Sequence, residues 1–179
     1  MRHTLRQRLL ALSLEQRDVW DACIFKHIKE SLVPPPHTII AIYSPMALEV
    51  NCMGLAELWA EQGCRLCLPT IVEKDQPLKF RAFELSDPLQ KGLCGPLEPL
   101  PGKEFVTPDW IVAPMLGFGS DLTRLGMGGG YFDRTLAQMK GVKTIGLAYE
   151  LQYCADLPHE PHDIAFDCIV TEKQIHQRS

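Results

Sequence analysis

Apolar side chains recur at helical spacing at the start of the chain and in short unbroken runs after it. Leu5, Leu9, Leu10 and Leu12 mark a first helix, and Ser13-Leu14-Glu15-Gln16 carries a capping-box pattern that opens a second, bearing Val19, Trp20, Cys23, Ile24 and Ile28. Pro34-Pro35-Pro36 ends this region. The β-branched run Thr38-Ile39-Ile40-Ala41-Ile42-Tyr43 predicts a central strand, followed by a loop through Glu49 and a helix from Gly54 to Gln62. Gly63 breaks that helix, Arg65 to Pro69 predicts a second strand, and Leu78 to Phe83 a third. The order strand, helix, strand predicts a parallel α/β sheet with right-handed crossovers. Leu85 to Pro108 loses all periodicity and reads as a long surface excursion. Trp110-Ile111-Val112-Ala113-Pro114 resumes as a buried strand, a helix runs through Phe132, Leu136 and Met139, and Thr144 to Tyr149 forms another central strand. The expected architecture is a single-domain, mostly parallel, Rossmann-like sheet flanked by helices.

Composition narrows the class of function. The chain has 179 residues, 46% of them hydrophobic, which suffices for one buried core. Its net charge of -4 arises from 18 basic and 22 acidic residues without a long run of either sign, so neither a nucleic-acid nor a membrane surface is expected. A small-molecule substrate fits better. No stretch approaches the roughly 20 apolar residues of a membrane span, and the amino terminus leads into an amphipathic helix, so a cytoplasmic protein is expected. No long apolar surface stripe is visible, so a monomer is expected. Seven cysteines, an odd number scattered among apolar residues, read as reduced thiols. Cys64 and Cys67 lack a second ligand pair and read as part of a buried strand rather than a zinc site.

Candidate chemistry concentrates in Arg124-Leu125-Gly126-Met127-Gly128-Gly129-Gly130-Tyr131-Phe132-Asp133-Arg134. Glycines let successive amides turn into one concavity, and a helix beginning near Tyr131 adds its positive end, so the segment reads as a phosphate cradle. Arg124 would contribute charge and Asp133 an oxygen ligand for magnesium. No Lys-Ser or Lys-Thr follows the glycines, which excludes a P-loop, and the spacing excludes the dinucleotide fingerprint. A tight turn is the plainer alternative. Ligand sites in such sheets lie beyond the carboxyl ends of strands, where Glu49, the cradle and the tail after Tyr149 all emerge.

With these residues in view, the chain resembles the 5-formyltetrahydrofolate cyclo-ligase family, also called methenyltetrahydrofolate synthetase, over nearly its whole length. The likeness runs through Arg2 and Leu5-Arg6, Tyr43-Ser44-Pro45 to Leu48-Glu49-Val50, Gly95-Pro96-Leu97-Glu98-Pro99, the cradle, and Gly146-Leu147-Ala148-Tyr149 with Gln152. It ends with Leu157-Pro158-His159-Glu160-Pro161-His162-Asp163 and Ile169-Val170-Thr171-Glu172. The resemblance implies an ATP- and Mg2+-dependent closure of 5-formyltetrahydrofolate to 5,10-methenyltetrahydrofolate, through a phosphorylated formyl group, with release of ADP and phosphate.

Carried onto these positions, it implies that Arg2, Arg6 and the segment Arg124, Leu125, Gly126, Met127, Gly128, Gly129, Gly130, Tyr131 and Phe132 bind ATP. Ser44, Glu49 and the stretch from Met127 to Tyr131 would face the folate, and Asp133 and Asp163 would hold Mg2+. Arg124, Tyr131 and Asp133 would carry the catalysis. Taken singly, the residues keep plainer readings. Arg2 and Arg6 could be a solvated helix face, Asp133 could pair with Arg134 or cap its helix, Glu49 could cap a helix, and Asp163 could sit in a turn.

The chain also departs from the family pattern. Where the family usually has Phe-Asp-x-x-Gly-x-Arg, this chain has Phe118-Gly119-Ser120-Asp121-Leu122-Thr123-Arg124, so the turn there is expected to be rebuilt. Arg2 stands where lysine is commoner, and Phe132 where a second tyrosine is common.

Overall fold

The computed structural model describes residues 1–157 and 164–178. The run Trp110–Pro114 (β7) is buried except at its last residue and lies inside an eight-stranded sheet. In chain order the elements are α1 (Arg2–Leu10), α2 (Leu14–Ser31), β1 (Ile39–Ala41), α3 (Met53–Glu61), β2 (Arg65–Thr70), β3 (Lys79–Phe83), β4 (Leu89–Lys91) and β5 (Leu97–Pro99). There follow β6 (Phe105–Val106), β7, β8 (Gly117–Phe118), β9 (Arg124–Leu125), α4 (Tyr131–Gln138), β10 (Lys143–Leu147), β11 (Cys168–Val170) and β12 (Ile175–Gln177). Strand order across the sheet is β12-β11-β10-β7-β1-β2-β3-β6.

The central strands β11, β10, β7, β1 and β2 run parallel. Both flanks differ from the sequence reading. β3 is antiparallel to β2, β6 to β3, and β12 to β11. For β3 the reason is chain length: the connection over 71–78 is shorter than the dozen or so residues a parallel crossover needs, so the chain turns straight back. The excursion expected between Leu85 and Pro108 is also structured. It contains the hairpin β4–β5 and the short strand β6, whose few residues carry too little alternation to be read from sequence.

Alternation along the parallel strands sorts the core into two layers. Ile40, Val112, Ile145 and Leu147 face α1, α2 and α3, where Leu5, Leu9, Ile24, Ile28, Leu55 and Trp59 are buried. Ala41, Ile111, Ala113 and Ile169 face the other way, toward Leu136 of α4 and Phe166. The Ser13 hydroxyl accepts from the Gln16 amide at 3.1 Å and so caps the start of α2. Cys64 lies just before β2 and Cys67 within it, both buried. No helix among the described residues is long and apolar enough to cross a membrane.

Candidate active site

From β1 the chain steps to β2 on one side, and it later adds β7 and then β10 on the other. The strand order therefore reverses between β1 and β7, and a crevice opens at their carboxyl ends. A cavity of about 260 Å3 occupies it. Tyr43 and Ser44 beyond β1, Pro69 of β2 and Pro114 of β7 line this cavity, together with Glu49 and most of the cradle. Of the cradle, Arg124, Gly126, Met127, Gly129, Gly130, Tyr131 and Phe132 line it, whereas Leu125, Gly128, Asp133 and Arg134 do not.

The cradle's shape follows from two backbone angles. Gly128 has φ +117° and Gly130 φ +64°, the latter as the N-cap of α4, and side chains rarely adopt either. The carbonyls are turned onto arginines: Gly126 accepts from Arg2 Nε at 3.1 Å, Met127 from Arg6 Nη2 at 3.4 Å, and Gly129 from Arg134 Nη2 at 2.7 Å. Among the described residues, no backbone acceptor meets the amides of Gly126 to Gly130. The segment thus combines spent acceptors with available donors at a helix N-terminus, which suits an anion.

Arg124 is buried beneath this loop. Its Nη2 donates to Asp133 Oδ1 at 3.0 Å, and its guanidinium stands 5.1 Å from the Phe132 ring centroid. Asp133 therefore pairs with Arg124 rather than with Arg134, which instead braces Gly129 and lies over Tyr131. Arg2 and Arg6 are one turn apart on α1, and Leu5 and Leu9 of the same helix are buried, so the docked helix aims both guanidinium groups at the cradle. The departing turn before Arg124 is rebuilt as the β8–β9 hairpin. Asp121 Oδ1 accepts from the Thr123 amide at 3.1 Å and hydroxyl at 2.6 Å, and Leu122 takes a left-handed φ of 64°.

Glu49 enters the cavity from the loop after β1. That loop is held by the buried Tyr43 hydroxyl, which donates to Val50 O at 2.7 Å, and by Asp21, which accepts from the Asn51 amide at 3.3 Å and from Tyr149 at 2.8 Å. Glu49 Oε2 accepts from the Met46 amide at 2.8 Å, which braces its own turn rather than capping α3. Burial raises the Glu49 pKa above the usual glutamate value, with the Met46 amide opposing. Ser44 lies beside it on the wall.

Sequence reasoning assigned no site residue to the hairpin β4–β5, yet Gly92, Leu93, Cys94, Pro96 and Glu98 close one side of the cavity. Cys94 Sγ lies 3.5 Å from the Tyr131 hydroxyl, and that contact together with partial burial raises the phenol's pKa. The usable signal was the matched motif Gly95-Pro96-Leu97-Glu98-Pro99, a charged residue flanked by turn formers in an otherwise irregular stretch. Asp163, the second expected Mg2+ ligand, lies outside the described residues.

A doubly wound α/β protein with a phosphate-suited loop and an acidic, otherwise apolar cavity at its switch point is a ligand-binding fold of the enzyme type. The model of the 5-formyltetrahydrofolate cyclo-ligase family matches residues 1–172, and the chain belongs to that family of ligases. It is 32% identical over 139 residues to the 5-formyltetrahydrofolate cyclo-ligase of Haemophilus influenzae, covering 73% of this chain and 74% of that one. The Escherichia coli enzyme of the same name is 28% identical over 179 residues, covering 96% and 98%. Among solved structures, the 5,10-methenyltetrahydrofolate synthetase of Mycoplasma pneumoniae superposes with a TM-score of 0.78 at 26% identity, covering 96% of both chains. That of Aquifex aeolicus gives 0.80 at 29% identity, covering 98% of this chain and 90% of the other.

Proposed function

We propose that this protein converts 5-formyltetrahydrofolate to 5,10-methenyltetrahydrofolate at the expense of ATP, with release of ADP and phosphate. The observation that carries the reading is the convergence, on one cavity, of a half-buried carboxylate at Glu49 and a loop of available amides at 126–130. The pterin ring presents adjacent N–H donors, which a carboxylate pairs with, and Ser44 lies on the same wall. The triphosphate is bound by the amides of the cradle, with Arg2, Arg6 and Arg124 supplying positive charge around it.

A formyl amide is a poor electrophile, so its oxygen first attacks the γ-phosphorus while the bond to ADP breaks. N10 then attacks the formyl carbon and gives up its proton to water, and phosphate departs with the former formyl oxygen. Arg124 and the cradle amides hold the transferring group in line and offset its charge, which is most of what phosphoryl transfer requires. Tyr131, kept neutral, can donate a hydrogen bond to the reacting oxygens.

Among the described residues, no three His, Cys, Asp or Glu side chains converge as a metal cage. Mg2+ bound largely by phosphates and water needs only one or two carboxylates, and the Asp133 side chain, 26% exposed beside the cradle, is of that kind. Asp133, with Asp163, would hold the ion, which offsets phosphate charge when bound. The protein would act as a monomer in the cytoplasm.

The test is to mix purified protein, 5-formyltetrahydrofolate, ATP and magnesium, and follow the absorbance of the methenyl product. The expected result is a rise that needs both ATP and metal. Folate and nucleotide binding without that rise would leave a binding module in place of the enzyme.

A further inference from the structure

The reaction proposed above, on which this inference rests, changes the charge of its folate. The formyl group of the substrate is neutral, whereas the methenyl bridge of the product is an amidinium whose positive charge is shared over N5, carbon and N10. Such a cation is costly among apolar walls, and Met46, Pro69, Ile71, Leu78, Leu93 and Pro114 are among the apolar side chains that line this cavity. A counter-charge is needed.

Three charged side chains line the cavity among the described residues: Arg124, Glu49 and Glu98. Arg124 has the wrong sign and is paired with Asp133. Glu49 braces the turn at Met46 and faces the pterin in the proposed binding mode. The side chain of Glu98, which pairs through its backbone with Gln90 in the hairpin, makes no hydrogen bond or ion pair with any described residue, although it is half-buried. Its carboxylate lies beneath the hairpin turn, where a Cβ on Gly92 would come within 2.8 Å of Oε2. Gly92 has no left-handed φ to explain its identity. Its missing side chain makes the room that the carboxylate occupies.

We infer that Glu98 is the counter-charge of the reaction, a carboxylate held by the β4–β5 hairpin against the amidinium as it forms. Because that charge is absent from bound substrate and present in the transition state for ring closure, the interaction lowers the barrier rather than merely tightening binding. Gly92 positions it.

The experiment compares affinities for two ligands of nearly the same shape, neutral 5-formyltetrahydrofolate and cationic 5,10-methenyltetrahydrofolate, in mildly acidic buffer by calorimetry. For Glu98→Gln, the affinity for the cation should fall about tenfold, with the neutral ligand changed far less. Glu98→Asp should recover part of the loss, and Gly92→Ala, whose methyl displaces the carboxylate, should reproduce part of it. In turnover, Glu98→Gln should lower kcat more than it raises KM. Equal losses for both ligands, or none, would overturn the inference, as would a wild-type protein that binds neither. A wild-type protein that binds both folates but makes no product would sink the proposed activity alone, and the difference between the two ligands would still decide the role of Glu98.

Discussion

Leu122 holds a left-handed backbone at φ 64° while its side chain is 4% exposed in the core, so one position meets two opposed demands. The family pattern has glycine there. Leucine gains burial and gives up on the order of 1–2 kcal/mol of backbone comfort. That conflict predicts an inverted ranking: Leu122→Gly should be more stable than Leu122→Ala by about 1 kcal/mol in urea unfolding, although alanine is larger. Alanine equal to or better than glycine would deny the strain. Glu49 carries a different tension. Burial raises its pKa from the usual 4.5, so the folded chain holds its proton more tightly than the unfolded chain does. The stability that this proton confers is full below the unfolded value and is lost as pH rises through the folded one. Folate N–H donors need the ionised form, so folate affinity should weaken as pH falls through the raised value. Glu49→Gln should bind folate more weakly at neutral pH and lose that pH dependence, whereas ATP affinity should hold. Calorimetry across pH reads both, and an unchanged pH profile in the variant would remove Glu49 from the folate contact.

Of the nine residues of α1 only Leu5 and Leu9 are buried, yet the helix reaches the cradle through Arg2 and Arg6. Its attachment passes through Leu5, which packs so closely over Gly117 that an added Cβ there would lie 2.8 Å from Leu5 Cδ1 and 3.3 Å from Gln152 O. A backbone oxygen cannot yield as a side chain can. Gly117→Ala should therefore lift α1, withdraw Arg2 and Arg6 from the carbonyls of Gly126 and Met127, and weaken ATP binding severalfold while folate binding holds. Arg2→Ala with Arg6→Ala should give the same selective loss without the packing defect. A loss of both ligands in equal measure would mean that α1 supports the whole cavity. The helices were legible because Leu5, Leu9, Ile24 and Ile28 keep a 3.6-residue period and Ser13 supplies the cap. The parallel strands β1, β2, β7 and β10 were legible because they read as apolar runs, whereas β11, only three residues long, was not read as a strand. What stayed hidden was set by partners rather than by period: the direction of β3 depends on the shortness of its connection, and β4, β5 and β6 have too few residues to display alternation.

At the scale of the molecule, the switch point between β1 and β7 accounts for why residues as distant as Ser44, Glu49 and Tyr131 share one cavity. That topology let the sequence place Glu49 and the cradle at strand ends, whereas Ser44 was named only through the family resemblance. The fourth wall, the hairpin bearing Cys94 and Glu98, comes from outside that logic, packed over the crevice from a segment that read as irregular. Thiol chemistry separates this wall from the core. Burial pushes Cys52 and Cys67 up to about 12 and Cys168 to about 11, so none forms thiolate readily near neutral pH, whereas Cys94 is exposed at the cavity beside Tyr131. A maleimide reagent should therefore modify the folded protein first at Cys94, in a fast phase that Cys94→Ser abolishes. Saturating 5-formyltetrahydrofolate should slow that phase by about tenfold, because a ligand in the cavity covers Leu93 and Cys94, while unfolding in urea should make all seven thiols react together. Peptide mapping of the early product reads the result. Labelling of Cys94 at the same rate with and without bound folate would mean that the hairpin does not border the occupied site, and the cavity's fourth wall would have to be drawn elsewhere.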